Sequence, residues 1–298
     1  MTLRLIDGGS SPPQRLGLAD YVWIDDSGTM RSKTRVIPVG VDTAGDPIPL
    51  IERWTTHEGS RVVLLSPCHY LPDPLRPQPS FITLCEVRDE DDTCRSSNQR
   101  SVLRQALGPD DSIWWGFRQG YLLDPMFSEP PGKASSKDYF LVAERHLGAC
   151  MDAGLMIHSA DFDDVSFKIG PRGMPQSVDP ESPTALVAAD HLWMARYLLK
   201  KVAREFGLVP NFVRRRCSVF FSTETMRRRA LFRTDLAESI LRLGTRFSGR
   251  NQPWVPSLRA GVVTREEGFE CLEDIGPPGN MDPYTMVLHW IETIRTET

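Results

Sequence analysis

The chain has 298 residues, 40% of them hydrophobic and 25% charged, with a formal net charge of −4. That is enough apolar material for one large or two moderate domains, and the charge leaves no strong field to draw nucleic acid or an anionic membrane. No stretch approaches the ~18 consecutive apolar residues of a membrane-crossing helix, and the six cysteines form no CxxC pair, which argues for free thiols in a reducing cytoplasm rather than a zinc or dithiol motif.

Residues 1–18 are rich in Gly, Pro and Ser and read as an arm. Tyr21 to Asp25 reads as a strand, Asp26-Ser27-Gly28 as a turn and Arg31 to Ile37 as the returning strand, with Pro38 expected to end it. Val62 to Leu65 and Phe81 to Val87 are further strands. Pro72, Pro74, Pro77 and Pro79 mark the loop between them. Residues 97–107 have helical spacing. Ile113 to Leu123 is strand-like, and residues 127–136 read as a flexible loop. Lys137 to Ala153 is a helix stopped by Gly154. Leu155–Ile157 and Val165–Ile169 are strands, and Thr184 to Phe206 is a long helix stopped by Gly207. Ser222 can cap a helix running toward Leu243. Asp282-Pro283 is a helix start, an N-cap followed by proline at the first position. Hairpin-type strands mixed with separate helices predict an α+β fold.

Two charged clusters stand out. Asp161, Asp163 and Asp164 could together hold a single divalent ion or form a solvated acidic loop. Arg214, Arg215 and Arg216, with Arg227, Arg228 and Arg229, suit an anion or an acidic partner, or a plain basic surface. There is no GxxxxGK[ST] and no GxGxxG after a strand, so no independent nucleotide motif is present. Ser218 and Ser222 lack a recognisable nucleophile context.

Several segments carry a resemblance in chain order: Tyr21-Val22-Trp23-Ile24-Asp25, Trp115-Gly116-Phe117, Phe167-Lys168-Ile169-Gly170-Pro171, Asp190-His191-Leu192-Trp193-Met194-Ala195-Arg196 and Asp282-Pro283-Tyr284. Together they resemble a eukaryotic-type glutamine synthetase from about residue 20 to 285. The resemblance implies a β-grasp domain over 19–108 and a shortened catalytic-like domain over 109–298, built of an antiparallel sheet and helices. It also implies ATP-driven ligation of ammonia to glutamate on divalent ions, with sites shared between subunits of a ring.

Carried over by position, the residues for that chemistry are mostly replaced. The family's metal-binding Glu-x-Glu falls on Arg118 and Gly120, and the next metal glutamate on Asp161. The glutamate before the Phe-x-Ile-Gly-Pro run falls on Ser166, and a histidine falls on Ser218. The aspartate that assists ammonia falls on His57 or Glu58. Ala260-Gly261-Val262 leads to Arg265, and Glu273-Asp274-Ile275-Gly276-Pro277 lacks both family arginines. A cation in place of a metal ligand repels a divalent ion, so no metal and no nucleotide cofactor is expected.

The expectation is therefore a repurposed, ATP-independent acid–base enzyme (an isomerase, cyclase or lyase) acting on a small metabolite. His57, Glu58 and Asp161 would be its catalytic groups, with Arg118, Gln119, Tyr121, Arg216 and Arg265 binding substrate. The alternative is a non-catalytic scaffold, ligand sensor or partner of an active enzyme; residual ligation ranks below both. A homo-oligomer smaller than the family's ring is expected, with no nucleic acid and no membrane as partner.

Overall fold

The computed structural model describes residues 15–95, 97–108, 113–127, 134–170, 184–223, 261–266 and 269–295. The α+β expectation holds, in two six-stranded sheets and a helical layer. The first sheet contains β1 (Arg15–Ile24), β2 (Met30–Val41), β3 (Pro47–Pro49), β4 (Trp54–Glu58), β5 (Arg61–Pro72) and β6 (Ser80–Asp89), in the order β3-β2-β1-β6-β5-β4. Its centre is a parallel pair, β1 beside β6, flanked by antiparallel strands. β1 starts inside the stretch expected as an arm. β2 runs through Pro38, whose carbonyl still accepts a hydrogen bond from Leu50 N–H at 3.1 Å.

The second sheet contains β7 (Trp114–Gly120), β9 (Ile157–Asp161), β10 (Ser166–Ile169), β12 (Cys217–Ser222), β13 (Gly261–Glu266) and β14 (Phe269–Asp274), in the order β13-β14-β12-β7-β10-β9. The strand expected over Ile113–Leu123 breaks after Gly120; beyond Tyr121, β8 (Leu122–Pro125) pairs instead with β11 (Leu208–Asn211). Ser222 ends β12, and the helix expected from there to Leu243 lies outside the described residues, as does most of the 127–136 loop.

The helices follow their caps. In α1 (Gln99–Ala106) the Asn98 side chain accepts from Ser101 N–H. In α2 (Ser136–Asp152), Ser135 and Asp138 form a reciprocal capping box. In α3 (Ala185–Glu205), Thr184 accepts from Val187 N–H. Asp282 caps α4 (Pro283–Arg295), accepting from Tyr284 N–H at 3.1 Å. Gly154 and Gly207 take positive φ, 76° and 69°, just beyond α2 and α3.

The main core lies between the two sheets, around α3. It takes Val22, Ile82 and Leu84 from the first sheet and Trp115, Phe117, Phe167 and Phe221 from the second. α3 is buried on nearly all sides, so it carries polar residues that need partners inside. Tyr197 donates to Asp20 at 2.8 Å, and Lys201 bridges the carboxylates of Asp20 and Asp73. Asp190 is held by Arg100 and Tyr284. A second core on the other face of the first sheet packs Tyr21, Trp23, Val63, Leu65 and Phe81.

Candidate functional site

Strand alternation sorts the residues of β7. Trp115, Phe117 and Gln119 are buried in the helical layer, as is Tyr121 just beyond the strand. Trp114, Gly116, Arg118 and Gly120 therefore take the opposite face. Register brings neighbours onto that face: Arg118 stands opposite Lys168 on β10 and Ser218 on β12, while Gly120 stands opposite Ser166, which stands opposite Asp161. Phe220 pairs with both Gly116 and Glu273, so Glu273 shares the face as well.

This face is cationic. Arg118 Nε lies 3.6 Å from Glu273 Oε1, an ion pair too long for a hydrogen bond. Arg215 lays its side-chain stem over Gly120: a β-carbon there would sit 3.3 Å from Arg215 Cβ and 3.3 Å from the Arg216 carbonyl oxygen. From there Arg215 Nη2 donates to Asp164 O at 3.2 Å, and Nη1 lies 3.6 Å from the Asp164 carboxylate. Phe220 covers the middle of the face, with its ring atoms 2.2 Å from where a Gly116 β-carbon would be. Arg118 Nε, Arg215 Nε and Glu273 Oε1 are buried with no hydrogen-bond partner among the described residues.

The residues present do not fit the divalent ions that the resemblance implies. Such ions need several converging oxygen ligands. Here Arg118 and the stem of Arg215 occupy the space, with Glu273 already facing Arg118. Asp161 Oδ1 is engaged in its own turn, accepting from Asp163 N–H at 3.0 Å and Asp164 N–H at 2.9 Å. Among the described residues no three His, Cys, Asp or Glu side chains are grouped to hold a metal ion.

The residues expected to act together are dispersed. His57 is exposed on β4 and lines an open concavity with Trp23, Asp25, Asp26, Ser27, Arg31, Glu58 and Gly59. Glu58 is already engaged, accepting from Trp23 Nε1 at 3.2 Å and from Arg95 at 2.9 Å. Both lie on the first sheet, whereas Asp161 ends β9 on the second.

Gln119 and Tyr121, expected to bind substrate, face the helices and are buried there. Gln119 Oε1 accepts from Arg196 Nε at 2.8 Å and its amide donates to Gly279 O at 3.1 Å. Tyr121 is 1% exposed beside Phe167, and burial pushes its hydroxyl pKa up. Arg216 is exposed and donates to Gly276 O at 2.9 Å. Arg265 pairs in register with Glu270. Among the expected residues whose side chains are described, Arg118 and Asp161 share the sheet face.

Arg215 was foreseen only as part of the arginine run suited to an anion; Lys168 and Glu273 were not foreseen. Lys168 carried a signal, since it shares the two-residue period of a strand whose Phe167 and Ile169 are apolar. Glu273 had no local signal, because only the β12–β14 pairing brings it to Arg118.

His146 and His191 are held by partners in the interior of the second unit. His146 Nε2 lies 2.9 Å from Ala195 O and 3.1 Å from Cys150 Sγ, and burial lowers its pKa to about 4. His191 Nδ1 accepts from Met156 N–H at 3.0 Å; burial, helped by the nearby His69, lowers it to about 4.

No family model matches the chain. Among curated proteins it is 27% identical over 347 aligned positions to the glutamine synthetase of Saccharomyces cerevisiae, covering 93% of this chain and 89% of that one. It is 27% identical to the glutamine synthetase of Debaryomyces hansenii, again with 93% and 89% covered. It is 27% identical to the chloroplastic glutamine synthetase of Chlamydomonas reinhardtii, with 93% and 90% covered. The first alignment, 347 positions against 298 residues, means that the relative carries segments with no counterpart here.

Proposed function

This chain is a divergent, shortened member of the glutamine synthetase family, and on that premise we propose that it no longer ligates ammonia to glutamate with ATP but serves as a non-catalytic, ligand-binding member of the family. The observation that carries this reading is the Arg215 stem packed over Gly120 beside Arg118, where the family's metal-binding carboxylates would stand. Phosphoryl transfer depends on cations placed to neutralise the phosphates. A guanidinium among the ligands would oppose each divalent ion by several kcal/mol at the effective dielectric of a partly buried site.

A repurposed acid–base enzyme is the second reading, favoured by one observation: His57 opens into a concavity beside Asp25 and Asp26. Glu58 and Asp161 give it little support, since both are engaged elsewhere. A boundary between two structural units at residues 108–109 and assembly into a cytoplasmic homo-oligomer belong to this proposal too. The first is supported by the start of β7 at Trp114 after α1, and the second by the resemblance. No helix among the described residues is long and apolar enough to cross a membrane.

The test is to incubate the full chain with glutamate, ammonia, ATP and magnesium, and to titrate it with magnesium-ATP by calorimetry. The expected result is no glutamine, no phosphate release above background and no saturable heat. Glutamine formation that requires magnesium, or saturable magnesium-ATP binding well below about 1 mM, would overturn the proposal.

A further inference from the structure

Resting on the homo-oligomer of that reading and not on the loss of ligation, we propose that an apolar face of the first sheet is a two-fold contact between two copies of this chain. Strand alternation puts Leu16, Leu18, Asp20 and Val22 of β1 on one side of the sheet, the side that packs on α3. Register brings Pro38, Val36 and Thr34 of β2 opposite Leu16, Leu18 and Asp20. The Asp20–Thr34 row is closed over. Thr34 Oγ1 donates to Asp20 Oδ1 at 2.6 Å, and Tyr197 and Lys201 of α3 donate to the same carboxylate.

Beyond that row the same side of the sheet is apolar. Leu18 stands opposite Val36, and Leu16 opposite Pro38. Leu50 N–H donates to Pro38 O at 3.1 Å, which extends the β2–β3 register by one pair and carries the Leu16–Pro38 row onto a third segment. Ile48, opposite Gly40 and two residues from Leu50, points to the same side. Leu16, Val36 and Leu50 are 59%, 60% and 52% exposed. Leu16, Leu18, Val36, Ile48 and Leu50 join neither of the two large cores formed by the described residues. Single exposed apolar side chains are ordinary, but these adjoin across three segments. With Pro38 they present roughly 400 Å2, the size at which an apolar patch marks an interaction site.

Two features choose a second copy as the occupant. β3 is the edge of the sheet, and two of its three residues are Pro47 and Pro49. Proline offers no N–H to an added strand, so a partner meets the face and not the edge. None of the six side chains is charged, so a two-fold axis can lay the patch on its own copy without opposing like charges. Sheet faces pack in this way, with their side chains interdigitated. Two patches closed on each other bury about 800 Å2, and their rims bring the total to the ~1,000 Å2 that a specific interface needs.

The test is sedimentation velocity of the full chain at about 50 µM, since association follows mass action. The wild type should sediment as a particle with an even number of chains. Val36→Glu and Leu50→Glu should each halve its mass, because each would bury a carboxylate in an apolar contact. Leu50 lies just beyond β3, so its variant leaves the strand residues unchanged. Val213→Glu, which places the same charge on a side chain 67% exposed in the second unit, should leave the mass unchanged. Melting curves of each variant establish that it is folded before its mass is read.

A wild type that stays monomeric would overturn both this contact and the homo-oligomer. An oligomer whose mass Val36→Glu and Leu50→Glu leave unchanged would overturn the contact alone, and would mean that a segment of the same chain or solvent covers the face. An equal loss of mass with Val213→Glu would overturn it as well. None of these results bears on glutamine formation or magnesium-ATP binding, which decide the loss of ligation separately.

Discussion

Arg100 on α1 holds Asp190 on α3 through two parallel hydrogen bonds, Nε to Oδ1 at 2.9 Å and Nη2 to Oδ2 at 2.8 Å. The same guanidinium reaches Glu86 on β6 at 2.8 Å, and Tyr284 on α4 donates to Asp190 at 2.6 Å. One buried carboxylate thus ties the first sheet to two helices of the second unit. Burial pushes the Asp190 pKa up, but His69 and Arg100 outweigh it and hold it below the usual carboxylate value.

Removing Arg100 strands that carboxylate. Arg100→Ala should cost about 3–5 kcal/mol, the usual range for a buried charge left without its partner. Tyr284→Phe should cost only about 1–2 kcal/mol, because Arg100 remains. Urea unfolding of the two variants checks the order, and equal losses would contradict it.

Lys201 is the corresponding tie on the other side of α3, shared by Asp20 and Asp73. Burial raises the Asp20 pKa, yet the Thr34 hydrogen bond and the Lys201 charge together hold it below its ordinary value. A depressed carboxylate contributes stability above its unfolded pKa of 3.8 and loses it as pH falls through the lower folded value. Lys201→Met should remove about 3–5 kcal/mol at pH 7. The deficit should shrink on acidification, as Asp20 protonates, and stability curves at pH 7 and pH 4 would show this.

Three buried groups set opposing trends between pH 4 and 6.5. His146 and His191 titrate near 4 in the folded chain against a usual 6.5. The unfolded chain therefore takes up protons first as pH falls, costing up to about 3 kcal/mol for each histidine. Asp274 does the reverse. Burial raises it to about 6, against the lowering effect of the Gly276 N–H hydrogen bond and of Trp290. The folded state then holds the extra proton between about pH 4 and 6, and stability falls by up to about 3 kcal/mol as pH rises through that window.

Two histidines outweigh one carboxyl, so the wild-type chain should lose stability on acidification from pH 6.5 to 4. Asp274→Asn should be more stable than wild type at pH 7, with the difference vanishing near pH 4. A variant advantage that grew toward low pH would show the Asp274 assignment to be wrong. The readout is the denaturation midpoint across pH.

Close approach at two glycines can be ranked. A methyl group at Gly116 would meet the Phe220 ring at 2.2 Å and Ile169 O at 2.7 Å, while one at Gly120 meets Arg215 Cβ at 3.3 Å. Gly116→Ala should cost about 1–3 kcal/mol or more, since backbone and ring must both move. Gly120→Ala should cost less, about 1 kcal/mol, because its contacts with Arg215 Cβ and the Arg216 carbonyl oxygen at 3.3 Å need only a small shift. Thermal melts of the two variants give the order directly.

Much of the architecture was legible from local rules. Asn98, Ser135, Thr184 and Asp282 cap helices, and Gly154 and Gly207 follow the ends of α2 and α3, because capping and chain reversal depend only on neighbouring backbone. The face of β7 was legible too. In Trp115-Gly116-Phe117-Arg118-Gln119-Gly120-Tyr121, period-two alternation sets Arg118 against Gln119 and Tyr121, so the three could never line one pocket.

What the chain alone determined was therefore the order of its elements and its family resemblance, which implies that Arg118, Gly120 and Ser166 stand where the family has metal carboxylates and Ser218 where it has a histidine. Tertiary structure decided what replaced them: Lys168 opposite Arg118, the Arg215 stem over Gly120, and Glu273 facing Arg118 from β14. Those meetings depend on strand register between segments far apart in sequence, and register is set by burying one face of every strand at once. No local pattern of residues carries that information.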